Sequence, residues 1–85
     1  MQPVEIYTTP TCGFCHAAKR LLTTKGVSFT EISLAREPER RAEMMQRSDG
    51  GRTVPQIFVG STHVGGCDDL FALDKAGKLD ALLTA

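Results

Sequence analysis

The 85-residue chain reads as a single α/β domain with its elements in the order β-α-β-α-β-β-α, and three observations predict this class. Apolar periodicity switches several times between two residues, as in strands, and about 3.6, as in helices. Glycine and proline punctuate the switches, at Pro10, Gly26, Pro38, Pro55 and Gly60. No repeat, low-complexity tract or linker divides the chain, and one this short buries only about 60% of its unfolded surface, enough for one core. Residues 1–85 are therefore expected to form one domain.

The first strand covers Val4–Tyr7, where apolar and polar residues alternate, and Thr8–Thr11 form a loop containing Pro10. A helix is predicted from Gly13 to about Lys25. Ala18, Leu21 and Leu22 recur at helical spacing, Lys19, Arg20 and Lys25 lie toward its C-terminal half, and Gly26 supplies the stop. Val27, Phe29, Glu31 and Ile32 read as a second strand. Arg36–Gln46 read as a second helix, with Pro38 near its first turn and Ala42 and Met45 on one face. DGGR is loop, TVPQIFV a third strand entered through Pro55, Gly60 and Ser61 a hairpin turn, and THVGG a short fourth strand antiparallel to the third. CDDLFALDKAG and KLDALLTA carry leucines at helical spacing, with Asp68 and Asp69 where negative charge suits the helix dipole.

Composition excludes several classes of function. Ten Lys and Arg balance ten Asp and Glu, so no net field would hold a phosphate backbone or an anionic membrane. Apolar stretches are too short for a membrane span, and Glu5 interrupts what would be the apolar core of a signal peptide. Nucleic acid and membrane partners are thus not expected. Three cysteines do not make a structural disulfide framework, and a close pair reads as chemistry in a reducing compartment, by default the cytoplasm.

That pair lies in CGFCH, which three chemistries could claim. Cys12, Cys15 and His16 match the CxxCH of covalent haem attachment, but the strand-rich order is not that of a small helical cytochrome. A structural zinc site needs about four ligands, and only His16, His63 and Cys67 are available besides the pair. Unpaired Cys and His side chains are more often a buried small residue and a surface residue than ligands, and His16 reads as an exposed polar residue. The redox claim fits best. Cys12 falls at a helix N-terminus, whose unpaired N–H groups favour a thiolate, and Cys15 lies within one turn, near enough to attack a mixed disulfide.

With these anchors, VEIYT, TCGFCHAAK, KGVSF, TVPQIFV and HVGGCDDLFALD, the chain resembles the glutaredoxins over nearly its whole length, and most closely the small bacterial dithiol type. The resemblance implies a thioredoxin-like fold, a four-stranded mixed sheet flanked by helices. It also implies a glutathione-dependent thiol-disulfide oxidoreductase acting on protein disulfides and protein-glutathione mixed disulfides. Cys12 would be the nucleophile and Cys15 the resolving thiol, together forming the redox-active disulfide. Thr53, Val54 and Pro55 would present the Val54 backbone to glutathione through a cis Val54–Pro55 bond, and Gly66, Cys67 and Asp68 would hold its γ-glutamyl end. Phe14 would flank the bound tripeptide. Such a protein would act as a monomer, with glutathione reductase serving it indirectly through glutathione.

Two departures from the family pattern bear on function. Thr9 stands where many members have lysine, and Arg52 is the candidate substitute for that cation. The group Arg36, Arg40, Arg41 and Arg47 alternates with Glu37, Glu39 and Glu43 and reads as a salt-bridged helix surface. Gly13 and Phe14 replace the Pro-Tyr of common dithiol members and match the monothiol branch. In that branch two subunits and two glutathiones hold a 2Fe-2S cluster through their first cysteines, so a cluster-binding or cluster-transfer module, with Cys12 as ligand, is the alternative. A thioredoxin-like donor served directly by a reductase is a third reading, and GGCDD argues against it.

Overall fold

The computed structural model describes all of residues 1–85. Four strands form one mixed sheet in the order β2-β1-β3-β4. The central strand β1 (Val4–Thr8) pairs parallel with β2 (Thr30–Ser33) and antiparallel with β3 (Gln56–Val59), and β3 pairs antiparallel with the edge strand β4 (Thr62–Gly65). The parallel pair needs a crossover, and helix α1 (Gly13–Thr24) supplies it. The remaining helices are α2 (Arg41–Arg47), α3 (Cys67–Lys75) and α4 (Leu79–Thr84).

Because side chains alternate along a strand, β1 and β3 each feed two cores. Val4 and Ile6 of β1 join Ile57 and Val59 of β3 against Ala18 and Leu22 of α1, Leu70 of α3, and Leu79 and Leu83 of α4. On the opposite face Tyr7 and Phe58 pack with Ile32, Leu34 and Met44. Helices thus cover both faces, as the resemblance implies. The end of α1 follows from its sequence. Gly26 adopts φ 72°, and the Val27 N–H returns to the Leu22 carbonyl at 2.9 Å while the Gly26 N–H reaches Thr23, which satisfies the last carbonyls of the helix.

Several boundaries differ from the sequence expectations. Thr8 is the buried last residue of β1 rather than loop, because its hydroxyl donates to Glu31 on the neighbouring strand. The second strand begins at Thr30. Val27 is buried not by pairing but as the apolar residue that follows the α1 stop. The second helix opens with a 3-10 turn at Pro38–Arg40 before α2 proper, and its buried residue is Met44, with Met45 half-buried and Ala42 exposed. Beginning the helix after the 3-10 turn rotates the face toward the sheet. Thr53–Pro55 lie outside β3, and the last helical stretch breaks at Ala76–Lys78, giving two helices where one was expected.

The charged helix surface is ion-paired only in part. Arg40 bridges Glu37 and Glu43. Arg47 instead turns to the sheet, donating to Glu5 at 2.8 Å and to the Tyr7 hydroxyl at 2.9 Å, with its guanidinium 4.1 Å from the Phe58 ring centroid. Elsewhere Lys25 joins the end of α1 to Asp74 and Asp80.

Candidate functional site

The loop after β1 folds back so that the Cys12 N–H donates to the Thr9 carbonyl at 3.3 Å, and Cys12 becomes the N-cap of α1 with an extended backbone. Its sulfur does what an N-cap oxygen usually does, accepting the Cys15 N–H at 3.1 Å. Cys12 is partly exposed. Cys15, one turn into the helix, points to the core and is fully buried. Burial, then the hydrogen bond with Cys12, push the Cys15 thiol up to about 12. One cysteine can therefore meet a solvent-borne disulfide, while the other is held as a thiol behind it.

Across from the pair, the Cys12 Sγ lies 3.6 Å from the Val54 carbonyl oxygen, 42 residues away, in the segment just before β3. The Val54–Pro55 bond is cis. Val54 is one wall of a groove of about 440 Å³ whose lining includes Phe14, Thr53, Pro55, Gly66, Cys67 and Asp68. Seven of the residues expected at the site from sequence thus share one groove, and the Cys12 sulfur stands beside it.

The far end of the groove is the start of α3. There Asp69 caps the helix by accepting the Gly66 N–H at 3.0 Å, while the neighbouring Asp68 carboxylate is exposed. The N–H groups of Cys67 and Asp68 fall in the first turn, where a helix offers no internal acceptor. Gly65, at φ 116°, approaches Asp69 so closely that a Cβ would collide with its carboxylate. Burial, then the Asp68 charge, raise the Cys67 thiol above its ordinary value. Cys67 is one of the smaller buried side chains of the α1/α3 core, as expected for an unpaired cysteine.

The structure does not bring Arg52 into the groove lining. Its side chain is exposed, and its carbonyl accepts Arg41 Nη1 at 3.0 Å. His16 is exposed and donates from Nε2 to the Pro10 carbonyl at 3.0 Å, bracing the loop before Cys12. Sequence reading missed Gln56 and Gly65 as lining residues and treated His63 only as an edge-strand surface residue, yet all three line the groove. No group of three or more His, Cys, Asp or Glu side chains converges within the chain to hold a metal ion.

The glutaredoxin family model matches residues 4–64, a span that contains the CxxC loop, Thr53–Pro55, β3 and all but the last residue of β4. The chain belongs to the glutaredoxin family. It is 60% identical over 85 residues to a glutaredoxin of Pseudomonas aeruginosa, with all of both chains covered. It is 58% identical to the glutaredoxin of Brucella melitensis, whose solution structure it matches with a TM-score of 0.83 over 98% of this chain and 89% of the other. A crystal structure of a buckwheat glutaredoxin-glutathione complex matches with a TM-score of 0.89 at 34% identity, over 98% of this chain and 77% of the other. As a member of this family, with two thiols one helical turn apart, the chain is a thiol-disulfide oxidoreductase.

Proposed function

We propose that the chain is a glutathione-dependent oxidoreductase that reduces protein-glutathione mixed disulfides and protein disulfides, with Cys12 as nucleophile. The observation that carries this reading is the 3.6 Å approach of the Cys12 sulfur to the Val54 carbonyl of the groove wall. A tripeptide lying along that wall would have its own sulfur next to Cys12. The buckwheat relative, of the same fold, was crystallised with glutathione, which supports the choice of ligand. Val54 would pair with the glutathione backbone as an added strand does. The first-turn N–H groups of α3 suit a carboxylate, and the Asp68 side chain suits an ammonium.

In the first step the Cys12 thiolate attacks the glutathione sulfur of the mixed disulfide. A Cys12–glutathione bond forms, and the protein sulfur leaves with the electron pair and takes up a proton. The Cys15 N–H donates to Cys12 Sγ and holds the attacking sulfur at the helix N-terminus. In the second step a glutathione thiolate attacks the Cys12 mixed disulfide, releasing glutathione disulfide and restoring Cys12. With a protein disulfide as substrate, Cys15 instead loses its proton as it attacks Cys12, expels the protein thiol and closes the Cys12–Cys15 disulfide, which two glutathiones then reduce. Glutathione reductase would regenerate the glutathione. The chain would do this as a single-domain monomer in the cytoplasm; none of its helices is long and apolar enough to cross a membrane.

A 2Fe-2S cluster held between two subunits and two glutathiones would draw only the Cys12 sulfur from each chain; no three ligating side chains of one chain converge to hold a metal alone. Replacement tests the thiol reading. Cys12→Ser should abolish glutathione-coupled reduction of a glutathionylated peptide. Cys15→Ser should retain that reaction and lose reduction of protein disulfides by the dithiol route. Turnover of glutathionylated peptide by Cys12→Ser would end the assignment.

A further inference from the structure

The groove contains a hydrogen-bonded bracket that the exchange chemistry does not use. Gln56, the buried first residue of β3, donates from Nε2 to the Thr53 carbonyl at 3.0 Å and reaches the Thr53 hydroxyl at 3.5 Å. A carbonyl can only accept, so the amide nitrogen must face Thr53 and the amide oxygen must face the other way. There it lies 2.6 Å from His63 Nε2, on the edge strand β4. The His63 Nε2 must then carry a hydrogen and donate it. The imidazole is itself held by stacking on Phe58, with ring centroids 4.9 Å apart. Space is kept for the amide as well, because a Cβ at Gly51 would lie 2.9 Å from Gln56 Nε2.

The links run in one direction, from His63 to Gln56 to Thr53, and Thr53 immediately precedes the Val54 whose carbonyl faces Cys12. Thr53–Pro55 lie outside the strand and have no ladder bonds to fix them. We propose that Gln56 and His63 are positioning residues that hold the Thr53–Val54 backbone in the register glutathione requires, and so set the preference for glutathionylated over other mixed disulfides. This rests on the glutathione reading above. Cys12 would exchange with any accessible disulfide, whereas only a ligand that pairs with the Val54 backbone would sense the bracket.

The test compares one cysteine peptide carried as its mixed disulfide with glutathione or with cysteamine, and reads the ratio of the two kcat/KM values. Gln56→Glu keeps the shape of the side chain and its acceptor toward His63, but cannot donate to Thr53. Gln56→Met removes both bonds, and His63→Phe keeps the stack on Phe58 while removing the donor. Each should lower the ratio, Gln56→Glu and Gln56→Met by about three- to ten-fold, the effect of losing the bond to Thr53 that both variants lack, expressed mainly in KM for the glutathionylated peptide. The double variant His63→Phe/Gln56→Met should fall no further than Gln56→Met, since the two act in series. A general packing defect would depress both substrates together and leave the ratio at the wild-type value, which would overturn the proposal. So would additive losses in the double variant. A wild-type enzyme with no preference for the glutathionylated peptide would overturn the glutathione reading and the proposal with it; a wild-type preference kept by all the variants would overturn the proposal alone.

Discussion

The Cys15 N–H donates to the Cys12 sulfur at 3.1 Å while the Cys15 thiol is closed off from solvent. Adjacent turns of one helix thus give two chemically identical side chains opposite environments, one facing reagents and one facing the core.

Burial raises the Cys15 thiol from 9.0 to about 12, which makes stability depend on pH in the alkaline range. Below 9 the thiol is protonated whether the chain is folded or unfolded, and its contribution is complete. Between 9 and 12 the unfolded chain loses the proton first, so the folded state loses stability as pH rises. The urea midpoint of the reduced wild type should fall more steeply from about pH 8 to about pH 11 than that of Cys15→Ala. Parallel curves for the two proteins would refute this.

Met44, fully buried between the sheet and α2, should be the costly methionine of that helix. Met44→Ala is expected to lose about 2–5 kcal/mol through lost transfer energy and the cavity left behind. Met45→Ala, at a half-buried site, should lose less than half as much, and chemical denaturation of the two variants decides the order.

Arg47 satisfies Glu5 and Tyr7 with two nitrogens while its planar guanidinium lies over Phe58. A lysine has neither the fork nor the flat face. Arg47→Lys should therefore destabilise by about 1–2 kcal/mol despite keeping the charge. An unchanged urea midpoint would show that charge alone matters at this site.

The Lys19 ammonium, and after it the Thr8 hydroxyl, hold the Glu31 carboxyl below its usual range. A depressed carboxyl contributes stability above its unfolded value and loses it as pH falls through its folded value. Glu31→Gln should thus be less stable than the wild type at about pH 7, by under about 1 kcal/mol because the pair is partly solvated, and equal to it near about pH 2. A difference that persists in acid would point to packing instead.

The features legible in the sequence were the local ones. Gly26 marked the end of α1, the alternation around Ile6 marked β1, and CxxC after a polar loop marked a helix-capping cysteine. Ala42 and Met45 were expected to share the face that Met44 in fact buries, because the 3-10 turn at Pro38–Arg40 changes the angle at which α2 begins, and one residue of offset on a helix moves the buried face by about 100°. The break between α3 and α4 was marked by Gly77, but a leucine pattern that runs on through it masked the stop. Gln56 escaped notice as a groove residue because a polar side chain in a strand ordinarily reads as solvent-facing, whereas here its partners Thr53 and His63 come from a loop and the edge strand.

The sequence by itself determined the order of the four strands and the helix between the first two, the family, and the cysteine pair at the start of α1, because caps, periodicity and motif spacing act over a few residues. Only the tertiary structure decided that Val54 meets Cys12 from 42 positions away, that Arg52 stays outside the groove, and that Asp69 caps α3 while Asp68 remains exposed. Those outcomes depend on strand register and on how two cores pack against one sheet, and both are settled only when distant segments bury their apolar faces together.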